Sequence, residues 1–415
     1  MRVKMTFAVL ALAALALVVP ASSTARTVKV EAGESIQDAI DNAKPGTTIK
    51  IEEGTYAESL LIDKDGIELI GEGRKKTHIV PPATPTVGEG CVQPAGPGGP
   101  PEPVVDGICV FDVDAEFNPL STVEDVEIGH LSVDGFNNSI FLFHTRDAEV
   151  TRTILSDYHE YGVFANDSRG TEIERNVTYN SVEDHNPEAG IYVGDSPEAD
   201  ATVWKNVSFG NLLGIFVRDA AHGKVLENKS FSNCVGVLFL NTDAPVDVAD
   251  WLARDNLVTG NNRECPPGEE APPLSGVGIA VLGGDDIDLI DNGVFGNRTA
   301  AGFQSAFAGG IVVTASPFGP APVASTDIKV AFNTAFGNNP DLVVDEGNEA
   351  KVFGNDCLTS TPEGLCEDAE HSGSHGNGHH DDRDDDHGDR HHKKHKKHKG
   401  GKHSKNKKRY KSHRD

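Results

Sequence analysis

The chain has 415 residues, with 37 Lys and Arg against 64 Asp and Glu, six cysteines and a formal net charge of −27. That charge is divided: from Arg390 to Asp415 there are 13 Lys and Arg and one Asp, which leaves 24 basic and 63 acidic residues in the remainder. So acidic a body lacks the basic face that phosphate binding needs, which argues against nucleic acid as partner and leaves cations, neutral glycans, or polyanions held through cations or isolated arginines.

Met1, Arg2 and Lys4 precede an apolar run from Phe7 to Val19, and small residues follow as far as Ser23-Thr24-Ala25. This is the layout of a secretory signal peptide over residues 1–25, with cleavage expected after Ala25. The run is too short to span a bilayer, and no later segment is long enough to try. The first cysteine is Cys91, too far along for a lipid anchor. The mature protein is therefore expected to be secreted, without a transmembrane segment, and a monomer. Six cysteines suit an oxidising compartment. Cys91–Cys109, Cys234–Cys265 and Cys357–Cys366 are the simplest pairs, with other pairings left open.

Ser35-Ile36-Gln37-Asp38 reads as a helix start with Ile36, Ala39 and Ile40 on one face. The helix is expected to stop before Pro45-Gly46, with strands following at 48–51, 59–62 and 67–70. Glycine leading a short aliphatic strand then recurs: Gly162-Val163-Phe164-Ala165, Gly190-Ile191-Tyr192-Val193, Gly214-Ile215-Phe216-Val217, Gly236-Val237-Leu238-Phe239, Gly278-Ile279-Ala280-Val281 and Gly310-Ile311-Val312-Val313. The shortest step, 214 to 236, is 22 residues, and longer steps are read as the same unit with loops inserted. Asparagines five apart mark the units: Asn206/Asn211, Asn228/Asn233, Asn256/Asn261, Asn292/Asn297 and Asn333/Asn338. Phe209, Phe231, Phe295 and Phe336 follow the first Asn of four of these five pairs by three.

Strands so short gain stability when coiled into a solenoid, each pairing in parallel with its copy roughly 4.8 Å away. Aliphatics then stack on aliphatics inside, Phe on Phe, and Asn on Asn at the bends, where Asn is expected to take left-handed backbone angles. The fold class is all-β: a right-handed parallel β-helix over residues 26–366, with a short N-terminal capping helix. A solenoid needs such a lid over its apolar end.

Glu34-Ser35-Ile36-Gln37-Asp38-Ala39-Ile40, Pro45-Gly46-Thr47-Thr48-Ile49 and Glu53-Gly54-Thr55-Tyr56 resemble the opening of pectin-lyase-like β-helix proteins. The Asn and Gly-Ile units resemble the parallel β-helix repeat of that superfamily, over about residues 28–357. The resemblance implies the fold but no single activity, since the superfamily holds lyases, hydrolases, epimerases, adhesins and non-catalytic binding proteins.

Strand alternation puts Ile191, Ile215 and Val237 inside and Phe164, Tyr192, Phe216 and Leu238 outside, with Phe141 extending the row. Such an apolar strip would be about 19 Å long. It is either a sugar-stacking platform, with Phe164, Tyr192 and Phe216 as substrate-binding residues, or a side core covered by the loops at 182–189, 262–275, 298–308 and 314–326. The same strands end in His144, Asp167, Asp195, Asp219 and Asn241, with Arg218 beside Asp219. Carboxylates one rung apart repel by about 3–4 kcal/mol per pair at a dielectric near 20. Asp167, Asp195 and Asp219 must therefore splay into solvent, hold a cation such as Ca²⁺, share a proton, or pair with Arg218. β-Helix lyases commonly use Ca²⁺ to bind an acidic sugar, and an Arg can act as base, so the resemblance implies catalytic candidates in Arg218, Asp195 and Asp219. The favoured reading of these acids is simpler: Asp suits the turn after a strand.

Asn241-Thr242-Asp243 and Asp285-Asp286 echo pieces of the polygalacturonase signature, yet His222-Gly223 precedes them and no Arg-Ile-Lys follows. Tyr158-His159-Glu160-Tyr161-Gly162 and Glu183-Asp184-His185-Asn186 loosely resemble alginate epimerase sites, without the Asp-Pro-His motif. From residue 367 onward the chain is almost free of apolar residues and is expected to be disordered. Eleven of the 17 histidines lie beyond residue 370, among them His391, His392 and His395. They suit weak binding of Zn²⁺ or Cu²⁺, and the lysines suit attachment to an anionic wall polymer or membrane surface. The leading function is a secreted protein that binds, and is open to cleaving or epimerising, an extracellular polysaccharide of uronic-acid type. The alternative is a non-catalytic cell-surface or metal-handling protein, resembling β-helix proteins that assist copper-enzyme maturation.

Overall fold

A computed structural model describes residues 26–94, 103–181, 188–242, 244–268 and 271–366. The segment expected to be a signal peptide, 1–25, and the His-rich stretch after residue 366 lie outside the described residues. Each turn of the chain contributes three strands, as in Ala189–Ser196, Ala201–Trp204 and Val207–Phe209. Each strand pairs in parallel with its counterpart one turn later, so that Ile191 meets Ile215, Val203 meets Val225, and Phe209 meets Phe231. Among the described residues, strands 22 in number form one sheet folded around two faces, and 11 form a sheet on the third. The antiparallel ladders, Val92–Gln93 with Val104–Val105 and Asp112–Val113 with Pro119–Ser121, lie in an insertion before the repeat.

The core is the set of inward columns. Val163, Ile191, Ile215, Val237, Ile279 and Ile311 stack rung on rung and are buried. Each such side chain taken from water contributes about 1.5–3 kcal/mol. The repeated glycines are required by space rather than by backbone angle. A Cβ on Gly214 would lie 2.1 Å from the Ser230 hydroxyl and 2.5 Å from the Gly236 carbonyl oxygen.

Two buried asparagine ladders run along the bends. In the first, Oδ1 of Asn228 accepts from the backbone N–H of Asn206 at 2.9 Å and from its side-chain amide at 3.1 Å. The pattern repeats through Asn256, Asn292, Asn333 and Asn355. Each amide also donates to a carbonyl of the preceding turn, as Asn228 does to Val203 at 2.8 Å. The second ladder runs from Asn211 through Asn233, Asn261 and Asn297 to Asn338. Tyr158, fully buried, donates its hydroxyl to Asn211 at one end. Buried amides at these spacings are stable because nearly every donor and acceptor is paired.

The left-handed backbone expected of the asparagines falls instead on the residue before each. Arg175, Lys205, Glu227, Asp255, Asp291 and Phe332 have φ between 51° and 57°. The reason is chemical: an amide whose oxygen and nitrogen must both face along the ladder sits best on extended backbone. The preceding residue makes the corner with its side chain in solvent.

The capping helix is Ile36–Asn42, with Ile36 and Ile40 buried and Ala39 packed against the core. Ser35 accepts from the Asp38 N–H, as the sequence predicts. Glu58, from the following strand region, also accepts from the N–H groups of Ile36 and Gln37, both at 3.0 Å. The three sequential disulfides form: Cys91–Cys109, Cys234–Cys265 and Cys357–Cys366. No helix among the described residues is long and apolar enough to cross a membrane.

Candidate functional site

The outward row forms in the expected register. Phe141 pairs with Phe164, Phe164 with Tyr192, Tyr192 with Phe216, and Phe216 with Leu238. Ring centroids from Phe141 to Phe216 are separated by 5.0, 4.8 and 5.3 Å. The loops decide its character. Tyr192, Phe216 and Leu238 are buried, in a second apolar cluster completed by Leu274, Phe307 and Phe318 from the inserted loops. Phe141 lies in a third cluster with Phe111 and the Cys91–Cys109 bridge, with the part-buried Phe117 stacked against it. Of the row, Phe164 alone stays half-exposed, with Tyr161 stacked on it at 4.5 Å. Most of the strip is therefore side core, and the face left for a sugar narrows to Phe164 and its surroundings.

Arg218 lies over the neighbouring ring, Tyr192. Its Nη2 donates to Asp195 Oδ2 at 3.1 Å, its Nε lies 3.7 Å from Asp219 Oδ2, and the guanidinium sits 5.3 Å from the Tyr192 ring centroid. The arginine side chain keeps 28% of its surface exposed. The Tyr192 hydroxyl donates to Asp195 at 3.3 Å, and burial pushes that phenol far above its ordinary range. Burial works against the charge on Arg218, but Tyr192 and Asp195 outweigh it, and its proton is held more tightly than usual. An arginine so held is a poor base and a good permanent cation.

The acidic column resolves into separate partnerships. His144 Nδ1 lies 2.8 Å from Asp167 Oδ2. Asp195 has Arg218 and Tyr192. Asp219, buried, takes the Thr242 N–H at 2.7 Å and the Thr242 hydroxyl; burial raises its pKa, opposed by Thr242 and Arg218. His144, Asp167, Asp195 and Asp219 all have φ between 47° and 54°, a left-handed conformation that Asp and His tolerate better than most residues. Among the described residues, the group that brings three His, Cys, Asp or Glu ligand atoms within 4.8 Å of one another is Cys91, Asp106 and Cys109, whose cysteines are bridged. Asp167, Asp195 and Asp219 are not among the described residues that bring three such atoms that close together.

The remaining motifs are dispersed. His222 pairs with Asp250 at 2.6 Å on another face, and Asn241 donates to Asp247 at 3.0 Å. Asp285 accepts from the Thr326 hydroxyl. Asp243, the Glu183-Asp184-His185-Asn186 motif and the tail residues His391, His392 and His395 lie outside the described residues. Tyr161 and Thr242 are the site residues that sequence periodicity misses. Strict alternation turns the residue before the repeat glycine inward, but Tyr161 and its counterparts Ala189, Leu213, Val235 and Val277 join the outer cluster. Thr242 carried a signal only as part of a motif borrowed from another family.

Residues 138–318 match the family described as right-handed β-helix region. No curated protein matches the sequence significantly. Among solved structures, the chain is similar to PfbA, a surface adhesin of Streptococcus pneumoniae, with a TM-score of 0.51 and 13% identity over 77% of this chain and 85% of that one. It is also similar to the A-module of the Azotobacter vinelandii mannuronan C-5 epimerase AlgE4, with a TM-score of 0.47 and 16% identity over 78% and 95% of the two chains. The periplasmic alginate epimerase AlgG gives 0.45 and 13% over 80% and 84%. With strand register, stacked amides and the match over residues 138–318 in agreement, the chain folds as a right-handed parallel β-helix.

Proposed function

We propose that this is an exported protein that binds an acidic, uronate-type polysaccharide. A sugar ring lies over Phe164 and a carboxylate reaches Arg218. The observation that carries the reading is Arg218 itself: a permanently charged, part-exposed guanidinium over the Tyr192 ring, which in turn adjoins part-exposed Phe164, on a body that is otherwise strongly acidic. The guanidinium already pairs with Asp195, so an incoming uronate carboxylate would share it. The three disulfides suit a chain folded in an oxidising compartment, and exposure to extracellular polymers follows from export.

Cleavage or epimerisation of the polymer needs in addition a base that reaches the proton beside the carboxylate. Asp195 and the His144–Asp167 pair stand on the same column as Arg218 and are the groups to vary for that step. Calcium has no part in this binding reading. The test is retention of a panel of polyuronates by the full chain and by its Arg218→Ala and Arg218→Lys variants. Binding that falls about tenfold in the alanine variant, near 1.4 kcal/mol, supports the site. Absence of binding across the panel, or equal binding by all three proteins, overturns it.

A further inference from the structure

The strand that carries Phe164 ends on an amide whose side chain is left without a bond. Asn166 stands two residues beyond Phe164, on the same side of the sheet, and is half-buried. In the strand register it follows Phe143 and precedes Gly194, which in turn precedes Arg218. One outward column therefore runs Phe143, Asn166, Gly194, Arg218, at about 4.8 Å per rung. Gly194 has no side chain because Tyr192 folds over it: a Cβ there would lie 2.0 Å from the Tyr192 hydroxyl oxygen. The guanidinium of Arg218 leans back over that ring to bond Asp195. Asn166, the Tyr192 hydroxyl and Arg218 thus stand in line beside the ring of Phe164.

The amide of Asn166 is set with its oxygen inward. Oδ1 is buried and, among the described residues, meets no donor. The Nδ2 end has no hydrogen bond within the described residues either, and it is not buried. In the ladders both ends of each amide are paired, as in Asn228. An unpaired buried acceptor destabilises a fold, and a functional role is one reason to keep it. The neighbouring acids are already engaged, Asp167 with His144 and Asp195 with Arg218 and Tyr192. Asn166 is the donor left open. We infer that Asn166 determines which uronate the site accepts, its Nδ2 donating to a hydroxyl oxygen of the ring that lies on Phe164 while the carboxylate meets Arg218. One stacking face and two fixed polar points orient the ring, so uronates that differ in the direction of one hydroxyl fit unequally. This rests on the binding reading above and extends it from a charge class to a stereochemical choice.

The test titrates the full chain with the β-methyl glycosides of glucuronate, galacturonate and mannuronate, followed by NMR. The parent is expected to separate the best from the worst of the three by about fivefold, one hydrogen bond's worth of affinity. Asn166→Ala should bring that ratio near one with the melting temperature unchanged, because it removes an unpaired acceptor. The near-isosteric Asn166→Asp offers acceptors only and should bind none of the three better than the alanine variant does. Arg218→Ala should weaken all three alike. A parent that does not discriminate, an alanine variant that keeps the ratio, or an aspartate variant that binds like the parent overturns the inference and leaves the binding reading standing. A parent that binds no uronate, polymers included, overturns both.

Discussion

Asp341 accepts both the backbone N–H of Asn338, at 2.9 Å, and its side-chain amide, at 3.0 Å, so the second asparagine ladder ends on a carboxylate. Its other oxygen takes the N–H groups of Leu358 and Thr359 at 3.1 and 3.2 Å. Each stacked amide from Asn233 onward donates once toward this end and once to the preceding turn, and the carboxylate accepts the last of the forward donors. Asp341→Ala leaves several buried donors unpaired and should cost on the order of 3 kcal/mol or more. Asp341→Asn, which keeps an acceptor oxygen, should lose less. Chemical denaturation of both variants decides; equal losses would mean that the carboxylate merely fills space.

Asp106 is buried beside the Cys91–Cys109 bridge, and burial raises its pKa from 3.8 to about 6 against hydrogen bonds from Asn138 and Asn137. Between those values the folded chain holds a proton that the unfolded chain has released. Stability from this group therefore falls as pH rises from about 4 to about 6, by up to about 3 kcal/mol, and is level above. Asp106→Asn removes the titration and keeps an acceptor for the Asn138 N–H. The stability difference between variant and parent should grow in the variant's favour across that window; a difference independent of pH would refute the assignment.

Cys234–Cys265 closes 31 residues of chain and pins the loop that brings Leu274 to the second apolar cluster. Replacing both cysteines with serine should cost about 3–4 kcal/mol on the chain-entropy estimate. Limited proteolysis should then cut first within 262–275. Cuts elsewhere would show that the loop is held by its backbone pairing to Leu274 alone.

The eleven histidines beyond residue 370 predict weak, multiple binding of Zn²⁺ or Cu²⁺. A chain ending at residue 370 should lose most of its metal content in equilibrium dialysis while its circular dichroism is preserved. Unchanged metal content would remove the tail from any metal-handling role.

The repeat was legible because each column contacts copies of itself. Asn206 meets Asn228, and Phe209 stacks on Phe231 at 5.0 Å, so one turn of sequence reports the next. The row from Phe164 to Leu238 and the Asp–Arg218 column were placed in register by the same logic. What periodicity could not supply was anything decided by a segment outside the repeat. Tyr192 and Phe216 were given an outward direction correctly, but whether outward meant exposed depended on Leu274, Phe307 and Phe318 in inserted loops of irregular length. Likewise Glu58 caps a helix from 22 residues away, and Thr242 satisfies Asp219 from the next turn. The glycines were read as markers of the repeat; the collision of a Cβ with Ser230 and Gly236 shows why they mark it.

The polysaccharide reading rests on one cation and one part-exposed ring on either side of Tyr192, and a crystal of the full chain soaked with a short oligouronide tests it most directly. The expected result is a sugar ring stacked on Phe164 with a carboxylate about 3 Å from the Arg218 guanidinium. Density for the sugar on another face, or none at saturating concentration, would contradict it.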